Sequence, residues 1–257
     1  MEIRQLGYVG LQGADPKAWL DFATRIVGLM PARVLPGETW GLPGLPNPGA
    51  PSGGSGVAAD GTVFLKMDDW QWRVALHPGD GPGLRYLGFE LRGPAELAAA
   101  VAELRARGIE VTPATPEELE ARAVHAMAHV RDPAGNRVEL FHGVTRDHNF
   151  VSPAGVPRFV TGPLGLGHAV VLVPDIDAEL EFWCGALGFR LSDYVTFGPQ
   201  QGVWFLHCNA RHHSVALLRV GPVSALHHVL FELPEIDDVG RAHDRAVRAG
   251  LSITTSL

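Results

Sequence analysis

The sequence predicts an α+β protein built from four copies of a βαβββ module, the last one incomplete, arranged as two cupped half-barrel domains. Two internal repeats carry that expectation. Residues 5–28, QLGYVGLQGADPKAWLDFATRIVG, align with residues 165–188, GLGHAVVLVPDIDAELEFWCGALG, at a constant spacing of 160. Gly7 meets Gly167, Asp15 meets Asp175, Phe22 meets Phe182 and Gly28 meets Gly188. Residues 84–115 align in the same way with residues 226–257 at a spacing of 142, where Phe89 meets Phe231, Glu90 meets Glu232 and Gly108 meets Gly250. Within each copy the apolar period changes from that of a strand to that of a helix.

Each copy opens with a short apolar strand. In the first and third copies an Asp follows, placed to cap a helix; an amphipathic run comes next, and a Gly stops it. The runs TVFLKM and WRVALH in the first half, and GVWFLHC and HHSVALLRV in the second, read as the strands that complete a module. The spacing falls from 160 to 142, so the first half carries 18 extra residues, which the Gly- and Pro-rich stretch 35–56 accommodates as a loop. The halves meet in the polar, Pro-containing stretch 145–163, which sets the domains at 1–145 and 164–257. A module with one bare sheet face cannot bury a core alone. Paired modules that curl their sheets together make a cup with helices outside, and a cup suits a small molecule.

Composition narrows the function. The chain is 257 residues long, 46% hydrophobic and 19% charged, enough for a sizeable core. A net charge of −7 argues against nucleic acid or an anionic membrane surface as a partner, since both require a basic face. No run approaches the ~20 apolar residues of a membrane span. Cys184 and Cys208 form neither a disulfide framework nor a zinc motif, and the N-terminus has no signal-peptide pattern; the expected location is the cytoplasm.

The repeats make their own differences informative. His168 stands where the first half has Tyr8, and His228 where it has Tyr86. Aligning WRVALH with HSVALL sets His213 opposite Trp72. Three imidazoles in one half thus face three aromatic side chains in the other, and imidazole is the commonest side-chain ligand of first-row metals. A lone His on an apolar strand is more often packed than ligating. The symmetry of the replacements is what raises His168 and His228 above that background.

The segments GLGHAVVLVPD, FLHCNARHHSVAL and LHHVLFEL…DDVGRAHDRA resemble the C-terminal half of type I extradiol catechol dioxygenases, ring-cleaving members of the vicinal-oxygen-chelate superfamily, and the resemblance spans essentially the whole chain. It implies that the first half holds no metal. It implies that His168 and His228 are ligands of Fe(II), or of Mn(II), with a Glu as third ligand. It implies that His213 is the acid–base histidine that also touches substrate, and that Val170, Phe205 and Ala216 line the aromatic-ring pocket. The implied reaction adds O2 across a catechol C–C bond next to one hydroxyl-bearing carbon. Hydrophobic catechols, such as a biphenyl-diol or a catecholic steroid, are the expected substrates and a homo-oligomer is the expected assembly. Unperturbed histidine nearly has the pKa that the acid–base role needs. The third ligand is expected on the strand equivalent to the one carrying Glu139; the 142-residue spacing places it near position 281, so the chain reads as truncated and as a poor binder of iron.

Other readings stand beside these. The same fold could sequester a planar aromatic compound without turnover, or serve a metal-dependent isomerase or lyase. Glu139, whose half has tyrosines in place of histidines, is expected to be structural. Asp175 and Asp237 are expected to cap helices or to sit in their first turns, and Phe182 and Trp183 to pack in or at the edge of the core. His227, next to His228, is expected on the opposite sheet face of a regular strand, in an outer-shell or structural role, and His212 towards solvent.

Overall fold

A computed structural model describes residues 1–38, 50–147 and 149–254. The first module comprises β1 (Gln5–Gly13), α1 (Pro16–Phe22), β2 (Met30–Pro31), β3 (Val63–Lys66) and β4 (Val74–Pro78). The second comprises β5 (Gly83–Glu90), α2 (Pro94–Ala106), β6 (Thr112–Pro113), α3 (Pro116–Arg122), β7 (Val124–Arg131) and β8 (Arg137–Val144). The third comprises β9 (His168–Leu172), α4 (Ile176–Leu180), β10 (Arg190–Gly198), β11 (Gln201–His207) and β12 (Val215–Arg219). The fourth begins with β13 (Ala225–Leu230) and α5 (Ile236–Arg248). The Gly/Pro-rich loop predicted at 35–56 lies partly outside the described residues; its described ends form turns and bends around a buried Ala50.

The strands build two open sheets, ordered β2-β3-β4-β1-β5-β8-β7-β6 and β10-β11-β12-β9-β13. Their registers repeat. β1 runs parallel to β4 with Val9 beside Val74, and β9 runs parallel to β12 with Ala169 beside Val215. β1 runs antiparallel to β5 with Gly10 beside Tyr86, and β9 antiparallel to β13 with Val170 beside His228. The pairing therefore reproduces the sequence alignment residue for residue, including His213 opposite Trp72.

Local chemistry explains the helices. The Asp15 side chain accepts from the Ala18 amide at 3.0 Å, and Asp175 accepts from the Asp177 and Ala178 amides at 3.1 Å, each satisfying donors that a helix start leaves free. Both helices continue as π-helical turns, Ala23–Val27 and Glu181–Ala186. Gly28 and Gly188 follow at φ 92° and 78°, a left-handed conformation that glycine adopts without cost. α3 was not legible as a separate helix, although its start is a complete capping box between Thr115 and Glu118.

The helices cover the outer faces of both sheets in one shared core. Phe89 of β5 packs edge-on to Trp183 and Phe189 of the second half, with ring centroids 5.6 and 5.4 Å apart. Trp183 is fully buried and Phe182 nearly so, as the core reading required. Burial of each such side chain contributes about 1.5–3 kcal/mol. No described helix is long and apolar enough to cross a membrane.

Candidate functional site

The inner face of the first sheet is filled. Tyr8, Phe64, Trp70, Trp72, Tyr86 and Phe141 form a second buried cluster there. Tyr8 stacks on Phe141 at 4.7 Å and tilts against Trp72 at 5.0 Å. Buried Glu139 accepts from the Tyr8 hydroxyl at 2.7 Å, from Arg122 at 2.9 and 3.0 Å, and from Arg137 at 2.7 Å. This carboxylate is an internal anchor, as expected. The rings fit because glycines lie beneath them: a Cβ at Gly88 would come within 2.2 Å of the Tyr8 ring, and one at Gly10 within 2.1 Å of the Tyr86 ring.

In the second half the same face carries imidazoles. His168 lies on β9 and is only 8% exposed. His228 lies on β13 and is exposed; its Nε2 stands 3.2 Å from Nε2 of His168. His213 lies two residues before β12, and its ring centroid lies 3.9 Å from that of His168. One cross-strand row, Phe205–Ala216–Val170–His228, forms the floor beside them. Val170 and Ala216 are buried there, and the Phe205 ring centroid lies 4.9 Å from that of His213. Five of the six residues singled out from the sequence lie on one sheet, and the sixth, His213, reaches it from the loop before β12.

The loop carrying His213 is pinned by residues that sequence reasoning missed. The Asn209 side chain donates to the Arg4 carbonyl at 3.0 Å and to the Pro163 carbonyl at 3.2 Å, and accepts from the Arg211 amide at 2.9 Å. The Arg211 guanidinium pairs with Glu232 and donates to the Leu164 carbonyl at 3.2 Å. The signal was present in the segment CNARHHS, but only the fold shows what those side chains reach.

Two expectations need correction. β13 contains a bulge between Leu226 and His228, so His227 is not on the opposite face; its Nδ1 lies 2.6 Å from Nδ1 of His228. A bulge inserts one unpaired residue, which undoes the alternation that a regular strand imposes. His213 also departs from ordinary histidine: burial first, then the neighbouring His212, His228 and Arg211, lower its pKa to about 4. Burial, with His213 and His228 next, lowers that of His168 to about 3, and burial, then His227, lowers that of His228. The three rings are thus neutral near pH 7 and offer lone pairs. His212 is exposed, as expected.

This pair fits two neighbouring ligand positions of one divalent ion. Imidazole nitrogens bind such metals at about 2.0–2.1 Å, which sets two ligands at right angles about 3 Å apart. Among the described residues no group of three or more His, Cys, Asp or Glu is arranged to hold a metal. Beside β13 an apolar groove of about 730 Å³ runs between the halves, lined by Leu65, Leu76, Leu226 and Phe231 together with His227 and His228.

Residues 5–140 and 165–257 match the Glyoxalase/Bleomycin resistance protein/Dioxygenase superfamily. The biphenyl-2,3-diol 1,2-dioxygenase of Paraburkholderia xenovorans is 35% identical over 263 residues, covering 100% of this chain and 80% of the relative. The 3-methylcatechol 2,3-dioxygenase of Pseudomonas putida is 34% identical, covering 95% of this chain and 78% of the relative. The crystal structure of a halotolerant catechol dioxygenase superposes with a TM-score of 0.84 at 32% identity, over 98% of this chain and 78% of the other. With a family match along both halves and relatives whose similarity covers 100% of this chain, the chain belongs to this superfamily and, within it, to the extradiol catechol dioxygenases.

Proposed function

We propose that this protein cleaves the ring of a hydrophobic catechol with O2, using Fe(II) held by His168 and His228, with His213 as the group that handles protons. The observation that carries the reading is the 3.2 Å approach of His168 Nε2 to His228 Nε2 beside His213. Mn(II) accepts the same donors, and Fe(II) is favoured by a relative from Rhodococcus jostii described as an iron-dependent extradiol dioxygenase. When bound, the ion brings catechol and O2 together and lets electrons pass between them.

The chain supplies the rest. Val170, Ala216 and Phe205 give an apolar floor on which an aromatic ring lies flat, excluding water from one face. Neutral His213 accepts a proton from a catechol hydroxyl and can return it later in the cycle. The relatives act on biphenyl-diol, methylcatechol and dihydroxynaphthalene, so a biphenyl-diol is the substrate of choice for a first assay.

Oxygen uptake with biphenyl-2,3-diol and Fe(II) tests the reading. The expected result is one O2 consumed per catechol, with iron held weakly for want of a third ligand among the described residues and its affinity reduced further, more than about 100-fold, in His168→Ala. Tight binding of the diol with no oxygen consumed would instead establish a sequestering protein.

A further inference from the structure

We propose that His227 is a positioning residue for His228, accepting the His228 Nδ1 proton and so holding that ring with its Nε2 lone pair towards the metal. The inference rests on the reading of His228 as a ligand.

The argument begins with the bulge. Leu226 pairs with Val171 and His228 with Val170, leaving His227 as the extra residue of β13. The two rings consequently lie with centroids 4.9 Å apart and Nδ1 atoms 2.6 Å apart. At that separation the two nitrogens share one proton: two lone pairs would repel, and two protons would collide. The contact between His168 Nε2 and His228 Nε2, at 3.2 Å, likewise takes one proton. A neutral imidazole has one N–H and one lone pair. His228 therefore either donates from Nδ1 and accepts at Nε2, or the reverse. A metal ligand needs its lone pair at the ligating nitrogen, and metal-bound histidines commonly direct the other N–H to an acceptor that fixes tautomer and ring angle. His227 Nδ1 is that acceptor.

The first half shows that the bulge alone does not require a histidine. β5 has the equivalent irregularity, where Arg85 is the extra residue beside Tyr86. Arg85 turns away to Gln12, donating at 3.1 Å, and Tyr86 bonds to His77 at 2.8 Å. An imidazole at the bulge position itself belongs to the second half, where His227 stands in place of Arg85.

The test combines metal binding with spectroscopy of the intact chain. Fe(II) dissociation constants, measured by anaerobic equilibrium dialysis, should rise about 10–100-fold in His227→Ala. His227→Asn, whose Oδ1 keeps an acceptor, should recover most of the loss. In the metal-free protein, ¹⁵N resonances should report His228 as the Nδ1–H tautomer, shifting towards Nε2–H in His227→Ala. Wild-type iron affinity together with an unchanged tautomer in His227→Ala would overturn the inference. An iron affinity that His228→Ala leaves intact would overturn the ligand assignment instead, and the two failures are told apart by which variant is silent.

Discussion

Tyr8 and His168 occupy the same place in the repeat, as do Tyr86 and His228, yet one pair fills the inner face of its sheet with aromatic rings and the other sets two imidazoles there. In the first half each tyrosine lies over a glycine of the neighbouring strand: Tyr8 over Gly88 and Tyr86 over Gly10. In the second half the smaller imidazoles stand beside side chains, His168 next to Leu230 and His228 next to Val170. The first arrangement moves volume to the middle of the cup, where Glu139, Arg122 and the aromatic cluster lock it. The second keeps volume on the floor and leaves the middle to nitrogen lone pairs. What separates the filled half from the proposed site is where the side-chain volume is put, on strands paired in the same registers.

The largest expected effect falls on the open cup. His213→Ala should keep Fe(II) at wild-type affinity and lose turnover about 10²–10⁴-fold, the usual contribution of a proton-handling group. Stopped-flow oxygen consumption with iron content measured in the same sample checks this. Normal turnover would remove His213 from the chemistry and reduce the contrast with Trp72 to one of packing.

A second comparison concerns the helices that follow β1 and β9. Glu179 stands where the first half has the exposed Trp19, but it is fully buried against the first half, accepting from the Ala134 amide at 2.7 Å and from Trp183 Nε1 at 3.0 Å. Burial, followed by the nearby Asp132, raises its pKa from 4.5 to about 8, with Asp175 adding to the rise. The folded state thus holds this proton more tightly than the unfolded chain. The resulting stability is complete below about pH 4.5 and is lost as pH rises through about 8. Urea unfolding at pH 5 and at pH 8.5 should differ by on the order of 3 kcal/mol, at about 1.4 kcal/mol per pKa unit. Glu179→Gln should flatten that dependence, and an unchanged slope would place the titration elsewhere.

The smallest effect should come from the filled cup. Gly88→Ala drives a methyl group into the Tyr8 ring and should cost about 1–3 kcal/mol by overpacking, read from the midpoint of chemical unfolding. Iron affinity should not move. A loss of iron binding would mean that the two cups communicate through the shared core.

The repeat was legible because strands and helices sit at fixed spacings, and those spacings survive as aligned Gly, Asp and Phe residues. The three histidines were legible because each replaces an aromatic residue at an aligned position. The bulge at His227 was not, since an extra residue in a strand is decided by what its neighbour pairs with. The depressed pKa of His213 was hidden for a similar reason: it comes from burial and from His212, His228 and Arg211 converging through the fold. β10 escaped notice as well; all but one of its nine residues are exposed, so it lacks the alternation that marks a half-buried strand.

The reciprocal fit of ring and glycine also constrains how such a chain can change. Adding a side chain at Gly88 while Tyr8 remains makes a collision, and shrinking Tyr8 to histidine while Gly88 remains leaves a hole and strips Glu139 of a donor. The two positions are therefore epistatic: each substitution is tolerated best after the other. A mutational path between the filled and the open arrangement is penalised at whichever single substitution comes first, so two halves that differ at these positions are held apart.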